Sequence, residues 1–163
     1  MEIISINKNH YPDIANIYKQ GIDTGIATFE TSVSTWESWN ESKLLHSRFV
    51  GVDKNNVLGW VALSKVSNRC VYEGVAEVSI YVSENHRRKG VGKILMENVI
   101  KESEANGIWT LQSGMFVENE ATIALHQIFG FRIIGYREKI GKLGGVWKDT
   151  VIMERRSKII GID

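Results

Sequence analysis

The chain is poor in cysteine. Cys70 stands alone and no CxxC pair exists, which excludes an internal disulfide and paired thiolates for zinc or redox chemistry. A thiol without a recognisable base nearby is expected to be a buried structural residue. His10, His46 and His86 lack metal-ligand spacing, so no metal is expected. Neither sign of charge dominates: 20 basic against 19 acidic residues leave a net charge of +1. That balance argues against a dedicated nucleic-acid binder. No apolar run approaches a membrane span. The amino end, MEIISINKNH, has no basic start followed by a long apolar stretch, so a cytoplasmic location is expected and the sequon at Asn40 has no role. What remains is a chain of 163 residues, 43% hydrophobic and 24% charged. Such a chain is globular and long enough for one domain with a real core. That domain is expected over 1–163, with its core at about 2–156.

Periodicity and turn signals predict the order β-α-α-β-β-β-α-β-α-β-β, a mixed α/β domain. EIISI alternates as a first strand. Pro12 suits the first turn of a helix running toward Gly21 or Gly25. Thr35 can cap a second helix, WESWNESKLLHS. RFVGVD and VLGWVALSKV read as strands joined by KNN. Cys70–Val82 reads as a strand, Gly90–Ala105 as a helix and WTLQSGMFV as a strand. NEATIALHQIFG is a helix closed by Gly130. FRIIGYREKI and VWKDTVIMERR pair as a hairpin around GKLGG.

The most informative stretch is EVSIYVSENHRRKGVGKIL, Glu77 to Leu95. An apolar strand enters a basic, glycine-spaced turn that opens a helix. Gly90 and Gly92 permit close approach to the backbone, and the helix start presents free N–H groups and a positive dipole end. Arg87, Arg88, Lys89 and Lys93 add charge. A phosphate or pyrophosphate fits such a place. The spacing is neither a Walker loop nor G-x-G-x-x-G. It is R-x-x-G-x-G, Arg87 to Gly92. A solvated basic turn with glycines serving helix packing is the competing reading.

This turn, the preceding EVSIYV strand and the later NEATIALHQIFGFRIIG resemble the GNAT acetyltransferase superfamily. IATFET, RCVYEGVAEVSIYV, ALHQIFGF and GKLGGVWKD are together similar to its phosphinothricin and methionine-sulfoximine N-acetyltransferase branch. The resemblance covers nearly the whole chain. It implies splayed central strands that hold acetyl-CoA, with pantetheine against Ile80, Tyr81 and Val82. The pyrophosphate would sit on the Arg87–Lys93 turn, including Lys89 and Val91. Asn119 would contact the pantetheine arm, although as a helix cap it could also serve only its own helix. It further implies a homodimer.

Glu77 lies mid-strand, where a carboxylate is costly unless paired or functional. A structural salt bridge and a general base both suit that place; in the resembling branch a glutamate here is the proposed base. An ordinary Glu near 4.3 is poorly matched to an amine near 10, so burial or a water chain would have to help. His126 stands where many relatives carry tyrosine. It could protonate the departing thiolate, orient the thioester, or be an ordinary hydrogen-bonded helix residue. For the acceptor, the resemblance points to Arg69 as an anion clamp, Tyr72 as a hydroxyl donor and Phe29 as a wall. Glu30 would lie near the amine, and Trp147 at a hairpin tip would close the pocket or reach a partner subunit. Trp36, Trp39, Trp60 and Trp109 are expected in core or interface.

The expected function is acetyl-CoA-dependent N-acetylation of a small amino acid or analogue, a small-molecule reaction with no nucleic acid or membrane partner. The alternatives are another acceptor (a protein N-terminus, a polyamine, an aminoglycoside) and a non-catalytic acyl-CoA-binding module. An RNA-directed acetyltransferase would need a basic face that the balanced charge does not offer.

Overall fold

The computed structural model describes residues 1–163. Its central element is the long strand β3 (Asn56–Lys65), whose residues Leu58–Leu63 are all buried. Burial on both faces requires layers on both sides, and the chain supplies them. β3 pairs antiparallel with β2 (Phe49–Asp53) on one side and β4 (Val75–Val82) on the other. β1 (Glu2–Ser5) lies beyond β2. β5 (Thr110–Phe116), β6 (Arg132–Leu143) and β7 (Val146–Arg156) complete a seven-stranded sheet of order β1-β2-β3-β4-β5-β7-β6. Only the β4–β5 pair is parallel.

Alternation along β3 and β4 divides two cores. Val61, Leu63, Ala76 and Val78 face α3 (Val91–Ala105), which buries Val91, Leu95, Met96, Val99 and Ile100 against them. Trp60 and Ala62 face the other way, toward Ile14 and Ile17 of α1 (Tyr11–Asp23) and Trp39 of α2 (Trp36–Ser42). α4 (Glu120–Ile128) lies between β5 and β6 in the chain. The element order is the expected one.

Three boundaries differ from expectation. The second helix stops at Ser42 rather than continuing through KLLHS, because Lys43 turns extended (φ −111°, ψ 149°). The next amide, of Leu44, then bonds to the carbonyl of Leu63 on β3. The fourth strand begins at Val75, not Cys70: Cys70–Tyr72 form a single 3-10 turn, and Cys70 is exposed rather than buried. The hairpin strands run on into GKLGG, leaving only Gly144 and Gly145 to turn. Both have positive φ (55° and 81°), the twist that a two-residue hairpin needs. Trp39 and Trp60 are core residues, as expected.

Candidate active site

β4 and β5 part company after a short contact. Their parallel ladder runs from Val75–Thr110 to Glu77–Gln112 and ends there. Beyond it, β4 stays on β3 as far as Val82–Gly59, and β5 stays on β7 as far as Phe116–Thr150. The facing edges, Val78–Val82 and Ser113–Phe116, therefore diverge, bridged only by a long 3.5 Å contact from the Ser113 hydroxyl to the Val78 carbonyl. The gap is the wall of a cleft of about 1050 Å³ that extends over the start of α3 and one side of α4. Main-chain donors and acceptors inside a cleft need partners, and an extended ligand can supply them.

The basic turn closes one end of this cleft. Arg88 and Gly90 both have positive φ (59° and 83°), which turns the chain sharply into α3. Gly90 is the N-cap and offers no side chain; the first helical bond is from the Ile94 amide to the Gly90 carbonyl at 3.2 Å. The amides of Val91, Gly92 and Lys93 are thus free at the helix start. The two glycines serve different needs. A Cβ on Gly90 would meet nothing within 4 Å, whereas one on Gly92 would sit 3.2 Å from Leu125 of α4. Gly92 thus packs closely against α4, while Gly90 is favoured by its backbone conformation and faces open space. Arg87, Arg88 and Gly90–Lys93 line the cleft, and none of these basic groups is in an ion pair. Lys89 is exposed and is not part of the lining.

Glu77 stands where the ladder ends. Its carboxylate accepts a 3.2 Å hydrogen bond from the Gln112 side chain across the β4–β5 pair. The side chain is exposed, so the burial expected of a mid-strand carboxylate is absent. The strand is central, but the splay opens water access on that face. Ser79 and Tyr81 share the face, as alternation requires. Tyr81 stacks on Trp60 (centroids 5.0 Å apart) and meets Tyr18 edge-on; burial pushes its hydroxyl far above the usual tyrosine range.

His126 lines the opposite wall and is almost fully buried, 1% exposed. Its Nδ1 lies 2.8 Å from the Thr122 carbonyl, which can only accept, so Nδ1 carries the proton. Nε2 is then an acceptor, and it is buried without a partner. Burial holds the imidazole below its ordinary pKa, with the Thr122 bond opposing more weakly. At neutral pH this ring is able to accept a hydrogen bond, and an imidazolium acid is disfavoured. Asn119 caps α4, its Oδ1 accepting from the Thr122 amide at 3.3 Å. Its side-chain amide donors stay free toward the cleft.

Phe29, Glu30, Ile80, Tyr81 and Val82 also line the cleft. Phe29 packs edge-on against Phe116. Arg69, Tyr72 and Trp147 do not line it. Arg69 lies over the Tyr72 ring at 5.6 Å and Lys142 over Trp147 at 4.8 Å, all outside the cleft of this chain. Sequence reasoning missed Tyr18, which joins Tyr81, and Lys43, which enters a side cavity. The only hint for Lys43 was the serine spacing Ser34, Ser38, Ser42 that precedes it. No three His, Cys, Asp or Glu side chains converge as a metal-binding group.

A sheet splayed beside a glycine-opened helix suits an extended, phosphate-bearing ligand, and the comparisons identify the class of protein. The chain belongs to the acetyltransferase (GNAT) family, whose sequence pattern matches residues 15–131; it is an N-acetyltransferase. YwnH of Bacillus subtilis (strain 168) is 31% identical over 134 residues, spanning 82% of this chain and 80% of its own. The L-methionine sulfoximine/L-methionine sulfone acetyltransferase of Pseudomonas aeruginosa (strain PAO1) is 27% identical over 149 residues, 88% of this chain and 87% of its own. Among solved structures, a phosphinothricin acetyltransferase from Sinorhizobium meliloti in complex with AcCoA superposes with a TM-score of 0.87 at 27% identity. That match covers 95% of this chain and 87% of the other.

Proposed function

We propose that this enzyme acetylates the amino group of a small amino acid or analogue, of the phosphinothricin or methionine sulfoximine/sulfone type, using acetyl-CoA. The relatives' acceptors and the neighbour's bound AcCoA support this reading. The observation that carries it is the position of Glu77, at the point where the β4–β5 ladder opens into the cleft.

The residues suit the cofactor. The free amides of Val91–Lys93, with Arg87 and Arg88, would hold its pyrophosphate, and the open space at Gly90 allows the approach. The divergent edge at Ile80, Tyr81 and Val82 would bond the pantetheine arm as an added strand does, and Asn119 would donate from its amide. Acetyl-CoA supplies an activated acetyl thioester: the amine nitrogen forms the new bond to the acetyl carbon, the carbon–sulfur bond breaks, and the departing CoA thiolate takes up, through water, the proton that the newly acylated nitrogen sheds.

Glu77 receives the proton from the acceptor ammonium. Being exposed, it does so through water, which relays the proton from the ammonium to the carboxylate. His126 positions rather than protonates: its bare Nε2 accepts a hydrogen bond from the group lying against α4. Glu30 attracts the acceptor ammonium and Phe29 shapes the pocket. Arg69, Tyr72 and Trp147 would reach an acceptor only across a dimer interface. The exposed Ile133, Ile134, Tyr136, Ile140 and Trp147 of the β6–β7 hairpin support such a homodimer.

The test is a panel of amino acids (methionine sulfone, methionine sulfoximine, phosphinothricin) with acetyl-CoA, followed by thiol release. Turnover on these and not on polyamines or aminoglycosides is expected. The reverse preference would overturn the acceptor class, and silence on every amine would leave an acyl-CoA-binding module.

A further inference from the structure

A second cavity, of about 330 Å³, opens beside the main cleft and shares Tyr18, Glu30, Ser79 and Tyr81 with it. Its lining is unusually rich in hydroxyls, and Lys43 is its only cation. Because α2 ends at Ser42, the half-buried Lys43 chain lies across the sheet face that carries Glu77. Its Nζ donates to Ser64 Oγ at 3.0 Å and to Ser79 Oγ at 3.3 Å. Those serines belong to β3 and β4, and Ser64 is paired with Glu77 itself.

Lys43 has no carboxylate partner. The lysines that do form ion pairs are Lys8, Lys19 and Lys148, and no acidic group lies within 4.0 Å of Lys43. A lysine drawn out of water whose hydrogen bonds go only to neutral hydroxyls is undercompensated, even with Glu30 on the same cavity wall. Burial accordingly holds its ammonium below the ordinary lysine range, and the more distant Glu77 carboxylate opposes this. Trp60, which also lines the cavity, has an indole N–H buried without a partner. An anion would satisfy the ammonium, and the serine hydroxyls can turn to donate to it.

The distances favour one kind of ligand. Ser79 is two residues beyond Glu77 on the same face, about 6.6 Å along the strand. An acceptor whose amine faces Glu77 therefore has its own acidic group within reach of Lys43, while Glu30 stands on the wall common to both cavities. The geometry points to Lys43 as the specificity-determining residue that receives the carboxylate or phosphinate of the acceptor, in the place that sequence reasoning gave to Arg69. The inference rests on the amino-acid reading above and sharpens it: the enzyme selects amines that carry an anion.

The experiment uses three acceptors at saturating acetyl-CoA. These are methionine sulfone, its primary amide, and 3-aminopropyl(methyl)phosphinate, which bears a phosphinate but no carboxylate. Each is assayed with the wild type, K43M and K43R. The wild type should prefer methionine sulfone over the amide by at least tenfold in kcat/KM. K43M should lower that acid-to-amide ratio by at least tenfold, and K43R should restore most of it. A parallel loss on the phosphinate marks that group as an occupant too; loss on methionine sulfone alone assigns the site to the carboxylate. An unchanged acid-to-amide ratio in K43M, with the variant's melting temperature intact, overturns the inference, since a merely structural lysine would not touch the ratio. Should the wild type acetylate none of the three, the amino-acid reading fails separately. Lys43 is then judged by titrating phosphinothricin against tryptophan fluorescence, because Trp39 and Trp60 line the cavity. A saturable change lost in K43M sustains the anion site; no saturable change, or the same change in both proteins, refutes it.

Discussion

Substituting Gly90 by alanine separates the two things this residue does. Its φ of 83° lies in the left-handed region, where a Cβ costs roughly 1–2 kcal/mol. The added methyl would meet no protein atom within 4 Å, so no clash adds to that strain. For a domain of this size the loss corresponds to a fall in Tm of about 2–8 °C. Cofactor affinity should fall further than strain explains, because the methyl enters the space where the pyrophosphate approaches the helix amides. A loss of at least tenfold in CoA affinity, about 1.4 kcal/mol, is expected by calorimetry. Gly107 provides the control. It lies just beyond the other end of α3 with φ of 79°, and a Cβ there also meets nothing within 4 Å. Gly107→Ala should lower Tm by a similar amount and leave CoA affinity unchanged. Equal CoA affinity in Gly90→Ala and the wild type would refute the placement of the pyrophosphate at this turn. Equal losses of affinity in both variants would show that the effect is general destabilisation.

Glu77→Gln keeps the size of the side chain and removes the base; kcat at neutral pH should fall by about 10²-fold or more with CoA affinity unchanged, and undiminished turnover would remove Glu77 from the chemistry. His126 is buried with a depressed pKa, so its neutral form is the one the fold favours. Its contribution to stability is present above the unfolded value of 6.5 and is lost as pH falls through the lower folded value. Thermal melts should show the wild type losing more stability than His126→Asn as pH falls below 6.5, and parallel curves would contradict the assignment. Gly74 packs so closely under Trp109 that an added Cβ would come to 2.1 Å from the indole. Gly74→Ala should therefore destabilise by about 1–3 kcal/mol in denaturant titrations, and a neutral result would mean that the Trp109 ring is free to move aside.

Local chemistry determined a good deal of this protein before any folding was considered. The alternation of EIISI and VAEVSIYV, the cap at Thr35, the Gly130 stop and the paired glycines at 144–145 specify elements through contacts within a few residues, and each of those elements formed in the expected order, three of them with different limits. The R-x-x-G-x-G turn is likewise local: its amides and its charge come from one short segment. So is the alternation that groups Glu77, Ser79 and Tyr81 on one face. Where elements end was less legible. The second helix was expected to run through KLLHS, yet it stops at Ser42 because the Leu44 amide finds the Leu63 carbonyl, a partner 19 residues away. Only the tertiary structure decided that Glu77 is exposed, since strand periodicity assigns a face but cannot show that the neighbouring strand splays away. It also decided that Arg69 lies outside the cleft while Lys43 lies beside it. Both are single cations in polar segments. What distinguishes them is which strands pass underneath, and that is settled by long-range pairing that no local pattern records.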